Sequence, residues 1–387
     1  MHCVTSGALV KIACVGGGPA NLYFSILMKR VNPSHDITVY ERNPEGSTYG
    51  WGVTYWRELL DNLHSADPDS ATAIENNSVH WDRWVARVRD GAPVEARHWD
   101  GGYGIGRREL LGVLTERARG LGVRVEFERE VTREEQVGEV DLVLVGDGAG
   151  SALRDRHADH FGTEVEAGRN TYIWLGTTKG FDAFTFAFTE TPHGWVWCYG
   201  YAYGNDHSTC VVECAPETWQ GLGLQQANEA DSLTMLEKLF AEMLDGHPLI
   251  AQGPVHWRNF RTLTNRTWHR DNLVLLGDAA HTTHYSVGAG TALAFGDAAV
   301  LVKALHGDTS LQQALARYEQ RRKAAITPAQ RAARYSAQWY ENLSRYVKLP
   351  PAQMIALLGD RHSRVLPHVP PRLYYHLSRL RGTRRTS

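Results

Sequence analysis

The sequence predicts an α/β protein in which a parallel-sheet core is interleaved with an antiparallel β-sheet and followed by C-terminal helices. Three observations predict it. Apolar runs at Ile12–Val15, Asp141–Val145 and Asn272–Leu276 each end in a glycine turn. Residues Thr171 to Cys214 are crowded with aromatic and β-branched residues: Y-I-W-L-G, F-T-F-A-F, W-V-W-C-Y-G-Y and T-C-V-V-E-C. From Ser310 to Leu349 apolar residues recur at helical spacing.

The first unit is the most informative. Ile12–Val15 reads as a buried strand that delivers Gly16, Gly17 and Gly18 directly to a helix over Asn21–Arg30, opened by Pro19, Ala20 and Asn21. Bare backbone at such a turn lets the first N–H groups of the helix approach a pyrophosphate, whose charge the helix dipole favours. A Cβ at Gly16 or Gly18 would obstruct that approach. Asn21 stands where the G-x-G-x-x-G fingerprint has its third glycine. A second strand, Ile37–Tyr40, ends in Glu41 and Arg42, and the Glu41 carboxylate can accept from a ribose 2′-hydroxyl, which points to FAD or NAD over NADP. The unit is therefore Rossmann-like.

Further along, residues 43–54 read as loop, Trp56–Leu63 as helix, and Ala73–Val88 shows no clean periodicity. Glycines dominate Trp99–Gly106, Arg107 opens a helix to Arg119, and V-R-V-E-F-E reads as a strand. The strand ending at Val145 delivers Gly146-Asp147-Gly148 to the same end of the sheet as Gly16. The third run closes in Gly277-Asp278-Ala279-Ala280-His281, with Gly288-Ala289-Gly290-Thr291 after it. Asp231–Leu244 looks helical, and Pro328 predicts a kink or break between two C-terminal helices. The organisation expected is a discontinuous nucleotide domain at 8–50, 95–160 and 265–310, a substrate domain at 51–94 and 161–264, and C-terminal helices with a basic tail at 311–387.

Composition sets outer bounds. The chain has 387 residues, 43% of them hydrophobic, and a formal net charge of -2, which gives no reason to expect nucleic acid or an acidic membrane as partner. Five cysteines without a C-x-x-C pair suggest reduced thiols rather than disulfides or a zinc site, and fit the cytoplasm. Ala8–Met28 is interrupted by Lys11 and three glycines, so neither a signal peptide nor a membrane span is expected.

The ordered trio of Gly16–Glu41, Asp147-Gly148, and G-D-A-A-H followed by G-A-G resembles the single-component FAD-dependent aromatic hydroxylases, over nearly the whole chain. R-N-T-Y-I-W-L-G-T-T-K, S-T-C-V-V-E-C, W-R-N-F-R-T-L and A-H-T-T-H-Y-S-V-G-A-G-T are similar to one subgroup, whose members hydroxylate salicylyl-CoA, 2-aminobenzoyl-CoA or a tryptophan derivative of violacein biosynthesis. The resemblance implies a p-hydroxybenzoate hydroxylase-like fold with FAD bound, NADH or NADPH as transient reductant and O2 as co-substrate. It implies that Asp278 bonds the ribityl chain, that Gly288, Gly290 and Thr291 hold the flavin edge, and that Arg107, with Leu110 in R-x-x-L, meets the phosphate or ribityl region. Asp147 would also face the cofactor. Tyr285 and Ala292 depart from the wider family's proline and asparagine, as they do in the subgroup.

The chemistry implied is oxygen transfer from a flavin hydroperoxide to an electron-rich ring, in a site that must exclude water. Trp174, Phe186, Trp195, Trp197 and Tyr199 could line it, although core packing explains such aromatics equally well. A general base to deprotonate a phenol or aniline is optional for this chemistry, and His284 and Tyr285 are the candidate catalytic groups for it. The substrate expected is a small amino- or hydroxyaryl compound, carried on CoA or a carrier protein, with Arg258, Arg261 and Arg266 as candidate phosphate contacts; a free tryptophan- or indole-derived precursor is the alternative. A halogenase is disfavoured, because Trp195-Val196-Trp197 is followed by Cys198-Tyr199-Gly200 where the W-x-W-x-I-P signature has I-P. A flavin module without oxygenation is the remaining alternative.

Overall fold

The computed structural model describes residues 10–253, 256–307 and 309–382, so the last residues of the basic tail lie outside the described residues. A six-stranded sheet runs in the order His269–Arg270, Leu273–Leu275, Leu142–Val145, Lys11–Val15, Asp36–Tyr40 and Arg124–Glu126, parallel except for the first pair. Its central strands carry continuous apolar runs because helices bury them. The Pro19–Val31 helix packs against the Arg107–Gly120 and Gly290–Leu305 helices. All three apolar runs read from the sequence are therefore neighbouring strands, and their glycine turns share one sheet edge.

The second sheet is larger than the aromatic block and mixed rather than purely antiparallel. Its order is Leu249–Ile250, Thr163–Thr177, His207–Cys214, Gly194–Gly204, Phe184–Thr191, Val79–Val88, Val94–Gly106 and Gly52–Tyr55, with Arg258–Asn265 added beside Thr163–Thr177. Trp84–Val88 runs parallel to Phe184–Phe188. Residues 95–106, expected in the nucleotide domain, pair within this sheet, and Gly52–Tyr55 is a strand where a loop was expected. Val79–Val88 gave no periodicity because its register with the next strand shifts between Trp81 and Arg83.

Both faces of this sheet are covered. On one, Ile173, Val196, Cys198, Cys210 and Val212 pack under Leu236, Phe240 and Leu244. On the other, Phe186, Phe188, Trp197, Tyr199 and Val211 pack against Trp339, Tyr340, Tyr346, Met354 and Leu357 of the C-terminal helices. Trp197 stacks on Tyr340 at 5.8 Å, which favours the packing reading of that aromatic.

Pro328 does not divide the C-terminal helix, which is continuous over Leu311–Glu341. A proline removes one backbone bond, and here packing at both ends outweighs it. Leu315, Tyr318 and Ile326 belong to the nucleotide core, whereas Trp339 and Tyr340 belong to the second sheet's core.

The glycines of Gly101–Gly104 mark close packing rather than loop. A Cβ on Gly104 would lie 2.0 Å from the Ala202 carbonyl oxygen. Gly104→Ala should therefore destabilise the protein by about 1–3 kcal/mol or more. Gly112→Ala, inside the Arg107–Gly120 helix with nothing within 4 Å, should instead stabilise by about 0.5–1 kcal/mol. Thermal unfolding of the two variants beside the parent tests this contrast of sign.

Candidate functional site

The shared edge of the parallel sheet opens into a cleft of about 1100 Å³. Gly16, Gly18, Glu41, Arg42, Arg107, Asp147 and Asp278 all line it. Gly16 adopts φ 99°, and a Cβ there would lie 2.5 Å from the Gly146 carbonyl oxygen, so this glycine is required by the neighbouring turn itself. Gly18 meets only ordinary contact, at 3.6 Å. Pro19 and Ala20 form the first turn of the helix that begins there, so its free N–H groups face the same region.

Asn21 is wholly buried and does not face the cleft. Its Nδ2 donates to the carbonyls of Val15 at 2.8 Å and Gly16 at 2.9 Å, so it clamps the turn from behind. Glu41 is held by the same turn: Oε2 accepts from Gly17 N–H at 2.7 Å, and Oε1 accepts from the Asn43 backbone at 2.9 Å and side chain at 2.7 Å. Each oxygen is thus oriented, and Oε2 keeps a free lone pair.

On the opposite wall Arg107 donates from Nε to Thr48 Oγ1 at 3.1 Å. Burial pulls its guanidinium below the usual value and the Asp278 carboxylate opposes that shift, so the two groups sense each other. Asp278 is solvent-exposed on the cleft wall, and its carboxylate makes no hydrogen bond among the described residues. Desolvation by the surrounding protein raises its pKa while Arg107 lowers it. Asp147 accepts from Ala152 N–H at 3.2 Å through Oδ2, but its Oδ1 is buried without a partner. Burial also raises this carboxyl.

The Asp278 loop is fixed by a residue that the sequence reading missed. Asp297, fully buried on the Gly290–Leu305 helix, accepts from Gly277 N–H at 2.9 Å and from Arg322 Nε at 2.7 Å, and lies 2.9 Å from His281 Nε2. Burial would raise its pKa, but His281 and Arg322 together hold it below the usual carboxylate range. Trp268 stacks on His281 at 5.0 Å. The only sequence signal was an aspartate in an otherwise apolar helix.

The candidate catalytic pair and the second glycine turn are not among the residues that line this cleft; the Tyr285 ring packs instead against Tyr172 of the second sheet and Phe260. Gly288 adopts φ 61° and would bring a Cβ 2.7 Å from Thr54 Oγ1; Gly290 and Thr291 open the following helix. His284 is buried, with Nδ1 2.8 Å from Ser286 Oγ and its ring 4.9 Å from Phe260. Burial and the nearby Arg361 bring it down to about 3, so the imidazole is neutral through the physiological range. Tyr285 donates to Glu213 Oε2 at 2.6 Å. Of the three arginines singled out, only Arg258 reaches the cleft, where it lies over the Tyr49 ring at 5.0 Å. Trp195 lies instead under Arg89 at 4.7 Å.

The family model described as "FAD binding domain" matches residues 10–333. The chain belongs to that family. It is 39% identical to a salicyloyl-CoA 5-hydroxylase from Streptomyces sp, over 88% of this chain and 67% of that one. It is 35% identical to a 3-hydroxy-4-methyl-anthranilyl-[aryl-carrier protein] 5-monooxygenase from Streptosporangium sibiricum, over 92% and 94%. It is 31% identical to a protodeoxyviolaceinate monooxygenase from Chromobacterium violaceum, over 95% and 98%. The protein is an FAD-dependent aromatic monooxygenase, with NAD(P)H as reductant and O2 as co-substrate. The cleft fits that cofactor: its helix N-terminus suits a pyrophosphate, and the partnerless Asp147 Oδ1 and Asp278 carboxylate suit hydroxyl or ring donors. No helix among the described residues is long and apolar enough to cross a membrane.

His284 makes the flavoprotein acid-sensitive. Its folded-state pKa of about 3 lies below the ordinary histidine value of 6.5, so the unfolded chain binds more protons. The associated stability is complete above pH 6.5 and is lost as pH falls toward 3, on the order of several kcal/mol in all. Replacing it with asparagine (H284N), which keeps an acceptor for Ser286, should flatten stability between those limits in denaturant unfolding at stepped pH; an unchanged slope would assign the acid sensitivity to other groups.

Proposed function

We propose that this enzyme hydroxylates an amino- or hydroxyaryl ring presented as a thioester of CoA or a carrier protein. The observation that carries the reading is the likeness, over 88% and 92% of the chain, to two enzymes whose names specify such thioesters. Arg258, at the cleft beside Tyr49, offers the carrier's phosphates a cation.

When bound and reduced, FAD supplies the activated oxygen. In this reading the turn at Gly16–Gly18 and the first N–H groups after Pro19 take the pyrophosphate. Glu41 Oε2 accepts from the ribose, Arg42 and Arg107 face the phosphates, and Asp278 accepts from the ribityl chain. Asp147 Oδ1 takes a further donor, and Gly288, Gly290 and Thr291 border the flavin edge. Phe260, Tyr172 and Tyr199, packed around Tyr285, keep water from the reacting ring. His284, neutral and bonded to Ser286, shapes the turn that presents Tyr285.

Asp278→Ala removes a charge-assisted acceptor and should weaken FAD retention by ~1.5–3 kcal/mol. Equilibrium dialysis of FAD against the variant measures it, and unchanged affinity would remove Asp278 from the cofactor site.

Substrate class is tested with matched pairs, anthranilate and salicylate as free acids and as CoA thioesters, scored by hydroxylated product per NAD(P)H consumed. The thioesters should turn over faster, because binding energy from the remote carrier helps to position the ring. Equal or better turnover of the free acids, or of an indole precursor, would favour the second reading, a free tryptophan-derived substrate, which the likeness to the protodeoxyviolaceinate enzyme supports.

A further inference from the structure

The small net charge of the whole chain conceals a segregation. From Arg361 to Ser387 there are seven arginines and no aspartate or glutamate. These seven are among 41 basic residues, and all 43 acids precede them, so the chain before Arg361 is formally -9 while the whole is -2. Exposed apolar groups gather in the same place. Of the seven large hydrophobic side chains exposed among the described residues, four lie beyond Gly359: Val365, Leu373, Leu377 and Leu380, the last three 51%, 46% and 65% exposed.

Leu373, Leu377 and Leu380, at i, i+4 and i+7, form one stripe on the Pro371–Gly382 helix. Arg372 and Arg379, exposed and also seven apart, run beside it. The other face of the helix explains why the stripe points outward. Tyr374 and Tyr375 pack against the aromatic core, and Arg379 lies over the Tyr375 ring at 5.1 Å. Arg345 donates to the carbonyls of Pro367 at 2.7 Å and Val369 at 3.3 Å, which fixes the chain as it enters the helix. Tyrosines thus seat the helix, while leucines that contribute little to folding at such exposure form an apolar strip beside cations.

We propose that the outer face of the Pro371–Gly382 helix docks a carrier protein, receiving from it an acidic helix with an apolar seam. The inference rests on the thioester reading above and narrows it, the aryl group arriving on a carrier protein. The three leucines take the seam in the manner of a helix laid against a helix, and Arg372 and Arg379 meet the flanking carboxylates.

Charge decides among occupants. A second copy meeting this face through the same face would set arginine against arginine, with no acid in the segment to offset them. An anionic lipid surface would attract the helix but repel the acidic remainder of the chain across its whole breadth. A small acidic protein covers the helix alone, so it has the attraction without most of the repulsion. Position favours the same occupant. Arg361, which opens the basic segment, donates to the Ser286 carbonyl at 2.9 Å and lies over the Trp84 ring at 5.8 Å. Ser286 follows Tyr285, whose ring packs against the same aromatic core as Tyr374 and Tyr375. The docking helix is therefore built onto the layer that also carries the candidate catalytic turn.

The test uses the full FAD-loaded chain and three probes: salicylate loaded on a purified acidic aryl carrier protein, salicylyl-CoA and free salicylate. Leu373→Gln with Leu377→Gln removes the apolar strip, and Arg372→Glu with Arg379→Glu reverses its charge. Each pair should raise KM for the carrier-bound probe about tenfold or more. Both kcat at saturation with that probe and kcat/KM for salicylyl-CoA should stay within about twofold of the parent, as expected when only ground-state docking is lost. FAD content and thermal midpoint should match the parent's, since the substituted side chains are exposed. The charge-reversed pair should also lose the rise of the carrier KM with salt that the parent shows. An unchanged carrier KM, or equal losses on both thioesters, overturns the docking. So does self-association of the parent, followed by sedimentation, that either pair abolishes, or binding to phosphatidylglycerol vesicles that both pairs lose while the carrier KM is unchanged. If the parent turns over salicylyl-CoA but not the carrier-bound probe, the docking falls and the thioester reading stands; if it turns over free salicylate alone, that reading falls and the docking with it.

Discussion

One buried carboxylate ties the molecule together. Asp297 has no access to solvent, and its two oxygens satisfy a backbone N–H of the Asp278 loop, a histidine in the same loop and an arginine from the longest helix. A charge so deep is tolerated only when each lone pair is used, and removing one partner would leave another stranded at a cost of several kcal/mol. The network sets where Gly277 turns at φ 56° and hence where the Asp278 carboxylate opens to the cleft. It also anchors Arg322, and with it the N-terminal half of the helix whose far end supports the second sheet.

The opposite wall is set by backbone approach rather than charge. Gly16 and Gly146 come from strands that pair directly, Val15 with Val145, and their turns nearly touch. Asn21 closes the gap from behind by binding the carbonyls of Val15 and Gly16. The departure from a third glycine is therefore a substitution of one device for another: the amide side chain does by hydrogen bonding what close helix–strand packing would do. Glu41 is oriented by Gly17 N–H before any ligand arrives, which lowers the entropy cost of accepting a ribose hydroxyl.

What could be read in the sequence was whatever repeats locally. The three apolar runs with their glycine turns, the helices after Gly18 and Gly106, and the four aromatic strands follow from period and turn chemistry alone. Val79–Val88 escaped because a register shift interrupts alternation, and Gly101–Gly104 looked like loop because glycine serves close approach as well as turns. Pro328 looked like a stop because its cost is local, whereas the compensating contacts of Tyr318 and Trp339 lie in two different cores. The cleft-lining glycines, Glu41, Arg107, Asp147 and Asp278 were legible from motif and order. Asp297 and Glu213 were not, since each is a single acid in an apolar element whose partners are 43 or fewer positions away in some cases and far beyond reach of any motif in others. Only the folded chain brings them to their donors.

The Leu311–Glu341 helix has a mechanical consequence. One end is embedded with Leu315 and Tyr318 beneath the parallel sheet and the other with Trp339 and Tyr340 beneath the second, so it acts as a strut between them. Hinging one sheet away from the other would have to pull a rigid rod out of one socket and expose stacked aromatic surface. Traffic of substrate and product is then left to short segments at the rim, among them residues 43–51, where Tyr49 is 53% exposed between Arg258 and Trp174.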